Sequence, residues 1–338
     1  MGSIPITRCC LLTFTTGYDN ITTVDLCDSG SVGRAPPCQG GSRGFESRLS
    51  LSEKAHRRVC FFQSGAPLPA PGGKEEGEAM KKSEQPIAVF DSGVGGISVL
   101  REMVKIMPYE DFIYYGDSKH APYGTKSLEE VRELTISHTR ELMGQGAKAV
   151  AIACNTATSA AVRILRQMYP QLPLVGIEPA LKPAVLFKPH PTVLVMATPM
   201  TIREEKFHRL LAKYEHQATI YPLPCPGLME YVERGQADSP EVREFLRNLL
   251  GEYLEKGVDA IVLGCTHYPF VQQAIAETAG PKVRIFDGGE GTARELRRRI
   301  DLAGLRNPDP LRKGKVIFES SDESPEKLEL FRKLFYSK

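Results

Sequence analysis

Charge of one sign is nearly absent as an excess. Among 338 residues, 43 Lys and Arg face 41 Asp and Glu, a formal net charge of +2. The basic residues are scattered, and the triplet Arg297, Arg298, Arg299 reads as a solvated helix face. No nucleic-acid partner and no membrane partner is expected, because either would call for clustered positive charge. Apolar runs are short: none reaches the ~18 residues of a membrane span, and no basic stretch followed by a long apolar one opens the chain. Nucleotide fingerprints are missing too. "DSGVGG" (91–96) is followed by Ile97 and Ser98, so serine stands where a dinucleotide loop needs its last glycine, and there is no P-loop. Cysteine is scarce after residue 80, where Cys154, Cys225 and Cys265 follow a leader holding Cys9, Cys10, Cys27, Cys38 and Cys60. Three is a poor disulfide framework, and free thiols in Gly-, Asn- and Thr-rich loops suit reactivity in a reducing, cytoplasmic setting. With 41% hydrophobic and 25% charged residues, the chain has the composition and length of a two-domain globular protein.

Residues 1–79 show no sustained helix or strand period and carry Gly/Pro/Ser clusters such as "GAPLPAPGGKEEGE", so disorder is expected there. "GFESR" (44–48) is what one frame of a transfer-RNA gene stretch would encode, and "KEEGEAM" (74–80) is compatible with a ribosome-binding site before an ATG. The expected native start is Met80, with a genuine flexible extension as the alternative.

From Pro86 the pattern alternates short apolar runs with amphipathic stretches: "IAVF", "GISVLREMVKIM", "DFIYYGD", "LEEVRELTISHTRELMGQG", "AVAIAC". The same order returns in "TVLVMAT", "IREEKFHRLLAKY", "ATIYPLP", "VREFLRNLLGEYLEKG", "AIVLGC". Strand and helix in alternation predict parallel sheets with covering helices. The fold class expected is α/β: two pseudo-symmetric, doubly wound parallel-sheet domains facing across a cleft. The first would hold 86–180 plus 287–338, and the second 181–286.

In open parallel sheets ligands sit beyond the carboxyl ends of strands. Cys154 and Cys265 both end apolar runs, in "GAKAVAIACNTAT" and "GVDAIVLGCTHYP". Either alone would most simply be a small buried hydrophobe. Occurring in matched contexts, they would flank one ligand from opposite walls. Two opposed thiols can take a proton from one face of a carbon and return one to the other, which is racemisation or epimerisation. A thiol pKa of about 8.5, tunable by neighbours, suits both roles. Asp91, Glu233 and His267 are candidate proton partners, though Asp91 and Glu233 could merely cap helices and His267 could be a structural hydrogen-bonder. Asn155, Thr156 and Thr266 could hold a carboxylate at strand-to-helix turns. Asp91 and Ser92 could take an ammonium. Tyr123 and Gly124, in "APYG", are explained locally as a turn.

Together "AVFDSGVGGISVL", "YYGDSKHAPYGTKS", "AIACNTAT", "CPGLMEYVERG" and "VLGCTHYPF" resemble the cofactor-independent glutamate racemases, over nearly everything after the leader. The resemblance implies interconversion of L- and D-glutamate, supplying D-glutamate for peptidoglycan, by a homodimer that needs no cofactor and no metal. It implies that Cys154 deprotonates the D-isomer and Cys265 the L-isomer, assisted by Asp91, Glu233 and His267. Substrate contacts would fall to Asp91, Ser92, Tyr123, Gly124, Asn155, Thr156, Thr266 and His267. Glu230 stands where many relatives carry proline, and Gly288 where serine is common. Aspartate racemase is the nearest rival, since one methylene changes affinity by only about 1–3 kcal/mol. A thiol-redox protein would need the two cysteines within disulfide reach, and a noncatalytic amino-acid-binding module would leave the Cα hydrogen untouched.

Overall fold

The run Ile87–Asp91 (β1) is buried along its whole length, as a strand covered on both faces should be. Its alternate side chains serve different cores: Ile87 and Val89 join one apolar cluster, Ala88 and Phe90 another. The computed structural model describes residues 81–337, so the expectations about residues 1–79 and Met80 lie outside the described residues.

After β1 the chain forms α1 (Ile97–Ile106), β2 (Phe112–Gly116), α2 (Leu128–Gly144), β3 (Ala149–Ile152), α3 (Asn155–Met168) and β4 (Leu174–Gly176). It continues through α4 (Leu181–Leu186), β5 (Thr192–Ala197), α5 (Pro199–Arg203), α6 (Glu205–Ala212), β6 (Thr219–Pro224), α7 (Leu228–Glu233), α8 (Pro240–Glu255) and β7 (Ala260–Leu263). The last elements are α9 (Gln272–Ala279), β8 (Arg284–Asp287), α10 (Gly289–Leu302), β9 (Val316–Ser320) and α11 (Pro325–Tyr336). Local chemistry sets several starts. Ser127 caps α2 by accepting from Glu130 N, the serine-to-glutamate spacing of a capping box. Ser239 caps α8, whose first position is Pro240.

The strands form two α/β domains with all-parallel sheets, ordered β4-β3-β1-β2-β9 and β6-β5-β7-β8. The C-terminal β9 pairs with β2 as the last strand of the first sheet. One hydrophobic cluster contains side chains of both sheets, with Ile87, Val89 and Tyr114 from the first and Leu194, Met196 and Ile261 from the second. Burying each large apolar side chain contributes about 1.5–3 kcal/mol, so this shared core joins the lobes as well as filling them. No helix among the described residues is long and apolar enough to cross a membrane. The carboxyl ends of β1, β3, β5 and β7 are the ends at which the two thiols emerge.

Candidate active site

Cys154 follows β3 in extended conformation and is the N-cap of α3. Its Sγ accepts hydrogen bonds from Ala157 N and Ser92 Oγ, each at 3.4 Å. A helix N-terminus favours negative charge on sulfur, because its free amides and dipole point there. Burial works the other way: it pushes the Cys154 thiol up to about 12, Asp91 adds to this, and Ser92 and Ala157 pull against it. In the closed site Cys154 is therefore a thiol.

Cys265 lies two residues past β7, after Gly264, where a Cβ would come within 2.7 Å of the Met196 carbonyl oxygen. Its Sγ is 3.6 Å from His267 Nδ1. The other ring nitrogen, Nε2, is 2.8 Å from Glu233 Oε1. Burial alone would lower the His267 pKa, but the contacts with Cys265 and Glu233 outweigh it and raise the pKa well above the ordinary value. Burial likewise opposes ionisation of Glu233, yet His267, Lys327 and the Val94 amide bring its carboxyl down to about 2. Cys265 thus faces an imidazolium backed by a carboxylate.

Asp91 ends β1 and is fully buried. One oxygen accepts from Gly93 N at 2.8 Å and the other from Thr266 Oγ1 at 3.1 Å. Burial raises its pKa, with His267 and the Gly93 amide opposing. The "DSGVGG" loop packs against the partners of Cys265: a Cβ on Gly95 would lie 2.5 Å from His267 Nδ1, and one on Gly93 would strike Glu233 Oε1. Glycine here permits close approach between the lobes.

Both cysteines line one cavity with Ser92, Tyr123, Gly124, Asn155, Thr156, Thr266 and His267. Asp91 and Glu233 stand one layer behind, contacting Thr266 and His267. The free space is only about 10 Å³, so the cleft is closed. Asn155, one of the residues lining the cavity, has both amide atoms buried without hydrogen-bond partners, as a polar group left for a ligand would be. Thr198 and Met229 also line the space and were not among the expected contacts. Thr198 caps α5 and bonds Thr156 and Thr201, at the carboxyl tip of "TVLVMAT", where the strand pattern places it among the ligand-side loops. Lys327, 3.1 Å from Glu233 Oε2, carries no local signal at all.

One expected correspondence is looser in the structure. Where α3 starts directly at Asn155, the chain after Cys265 makes a 3₁₀ turn, Tyr268–Val271, before α9. Pro269 in that turn has no N–H to donate to a regular ladder. Cys154, Cys225 and Cys265 are free, and Cys225 is a buried packing residue whose thiol donates to Leu223 O. Among the described residues, Asp117, His120 and His138 bring metal-ligand atom types together. There the Asp117 carboxylate already accepts from Tyr123 OH at 2.6 Å and meets His120 Nδ1 at 2.7 Å, a hydrogen-bonded cluster beside the cavity.

Two thiols lining one polar cavity, with an amide without partners beside them, suit proton exchange on a small polar molecule. Known proteins agree with that reading. A family model described as Asp/Glu/Hydantoin racemase matches residues 88–296. A glutamate racemase of Clostridium perfringens is 49% identical over 249 residues, covering 74% of this chain and 95% of that relative. Among solved structures, the glutamate racemase of Thermus thermophilus in complex with β-chloro-D-alanine aligns with a TM-score of 0.65 at 34% identity, over 75% of this chain and 93% of that one. The glutamate racemase of Francisella tularensis in complex with D-glutamate aligns with a TM-score of 0.66 at 28% identity, over 76% and 95%. Motifs, fold, cavity and relatives converge: the chain belongs to the Asp/Glu/hydantoin racemase family.

Proposed function

We propose that this protein is a glutamate racemase that interconverts L- and D-glutamate through its two opposed cysteines. The observation that carries the reading is that Cys154 and Cys265, from different sheets, line the same closed cavity. In the L-to-D direction the Cys265 thiolate takes the Cα hydrogen as a proton, leaving its electron pair on carbon. The Cys154 thiol then gives its proton to the opposite face. The thiols end with exchanged protonation and must re-equilibrate before the next L-isomer; the D-to-L direction is the reverse. General acid–base catalysis of this kind contributes about 10²–10⁴-fold.

The His267 imidazolium stabilises negative charge on Cys265, and Glu233 keeps that ring charged and oriented. On the other side, Ser92 and the first turn of α3 supply donors to the Cys154 thiolate, while Asp91 holds Thr266 and the Gly93 amide. Asn155, Thr156 and Thr266 bind the substrate carboxylates, Ser92 answers its ammonium with Asp91 one layer behind, and Tyr123 and Gly124 complete the wall. D-glutamate in a structurally similar racemase supports glutamate as the ligand. The reading includes a division into 86–180 with 287–338 and 181–286, a homodimeric assembly, a cytoplasmic setting and delivery of D-glutamate to peptidoglycan synthesis.

The test is incubation of each glutamate enantiomer with the protein in deuterium oxide, followed by circular dichroism and by mass analysis of Cα. Both enantiomers should lose optical activity and gain one deuterium. Unchanged optical activity without Cα deuterium would refute the reading, and faster racemisation of aspartate in a parallel reaction would move it to that substrate.

A further inference from the structure

Lys327 contacts neither the cavity nor a cysteine, yet it touches the carboxylate behind His267. Glu233 ends α7 and uses its two oxygens differently. Oε1 accepts from Val94 N at 3.0 Å and faces His267 Nε2 at 2.8 Å, while Oε2 receives Lys327 Nζ at 3.1 Å. A carboxylate can rotate about its Cγ–Cδ bond. A cation fixed on one oxygen holds the other toward the imidazole.

The elements involved come from both lobes. α7 packs with α8 and with the turn after Cys265, whereas α11 packs on α1 and β9. Lys327 thus reaches from the first lobe to an acid of the second. Its placement costs α11 something: Lys327 sits in the first helical turn, two residues after Pro325, where the helix dipole disfavours a cation. Helix stability does not account for a lysine there, and pairing with Glu233 does. The pair is sheltered, with side chains 18% and 16% exposed, so solvent screens it less than a surface pair.

We propose that Lys327 is a positioning residue for the Cys265 half of the reaction, holding Glu233 so that its other oxygen, shared with the Val94 amide, orients the His267 ring against Cys265. The inference rests on the racemase reading and extends it to a residue remote from the substrate. Loss of the cation raises the barrier for proton transfer at Cys265 and leaves transfer at Cys154 unaffected. Because the overall equilibrium between enantiomers is fixed, kcat/KM falls equally in both directions, but the isotope effects separate.

The experiment compares wild type, Lys327→Met and Lys327→Arg with L- and D-glutamate carrying hydrogen or deuterium at Cα. Lys327→Met should lower kcat/KM by about tenfold, in the range expected for a partly sheltered charged hydrogen bond. The primary isotope effect on kcat/KM should rise for L-glutamate, whose Cα bond is broken at Cys265, and fall for D-glutamate. Lys327→Arg, which keeps the charge, should restore most of the rate and the wild-type isotope pattern. A Lys327→Met variant within twofold of wild type, or one slowed with unchanged isotope effects, overturns the proposal. If that variant does not fold, Lys327→Gln is judged by the same isotope criterion. A wild-type protein that leaves the Cα hydrogen in place defeats the racemase reading itself, a result distinct from failure of the Lys327 inference.

Discussion

Gly93→Ala is the sharpest test of how the glycine loop serves the site. Gly93 does not adopt a left-handed backbone, so alanine meets no conformational penalty and the effect is steric. The added Cβ would strike Glu233 Oε1, with Cδ 3.1 Å away. Glu233 is the flexible partner and would retract. The retracting oxygen is the one bonded to Val94 N and His267 Nε2. Hydrogen bonds to charged groups contribute about 1.5–3 kcal/mol each, and a side chain 16% exposed recovers part of that from water. A net loss of about 3 kcal/mol is expected. For a chain of this size each kcal/mol moves Tm by about 2–4 °C, so unfolding should come about 6–12 °C earlier.

The assay is thermal unfolding followed by far-ultraviolet circular dichroism, in a cycle with Glu233→Ala. Removing Glu233 removes what the new methyl strikes, so Gly93→Ala should cost little in that background. Racemisation should show the same pattern, falling about ten- to hundredfold in either single variant and little further in the double. If the two stability losses add to within about 0.5 kcal/mol, the residues are independent and the close-approach argument fails.

Cys154→Ser and Cys265→Ser should each lower racemisation by at least about 10²-fold, read by circular dichroism, with folding unchanged; an active variant would remove that thiol from the chemistry. The depressed Glu233 pKa, about 2 against an ordinary 4.5, gives stability that is complete above pH 4.5 and lost as pH falls through about 2. At roughly 1.4 kcal/mol per unit this is about 3 kcal/mol, so Glu233→Gln should flatten the acid limb of the stability profile in urea titrations. His267 has the opposite sign: its raised pKa contributes fully below about 6.5 and the contribution fades as pH climbs through the folded value, so His267→Asn should flatten the alkaline limb. Away from the site, Lys148 Nζ and Glu110 Oε2 form a buried pair at 2.5 Å. Lys148→Met should cost about 3–5 kcal/mol by stranding the carboxylate, with most of it recovered in Lys148→Met/Glu110→Leu, as equilibrium urea unfolding would report.

What was legible in the sequence is what short-range chemistry dictates. Apolar runs such as "IAVF" and "AIVL" are buried strands because nothing else hides four consecutive apolar side chains in a chain with intervening amphipathic helices. The matched cysteines were legible because each closes such a run, and a strand's carboxyl end is where a parallel sheet exposes its loops. Lys327 was not, because its role depends on its side chain reaching Glu233 at the end of α7, 94 residues earlier in the chain. The Lys148–Glu110 pair was hidden for the same reason, since each residue alone reads as an exposed charge. Thr198 lay between these cases: its strand tip was visible, but not its hydroxyl's contact with Thr156.

The site is symmetric in topology and asymmetric in electrostatics, and the reaction makes sense of both. The two free enantiomers have equal energy, so the reaction runs both ways and each sulfur must serve as base in one direction and acid in the other. The means differ. Cys154 relies on neutral donors, the Ser92 hydroxyl and the first amides of α3, which do not titrate near neutral pH. Cys265 relies on a charge, the His267 imidazolium, whose proton depends on Glu233 and therefore on Val94 and Lys327 across the cleft. Val94 N and Lys327 Nζ both reach Glu233 in this arrangement, so the carboxylate behind the charged partner of Cys265 is held by two donors from outside its own element. A free volume of about 10 Å³ shows that the closed form must open to admit a substrate.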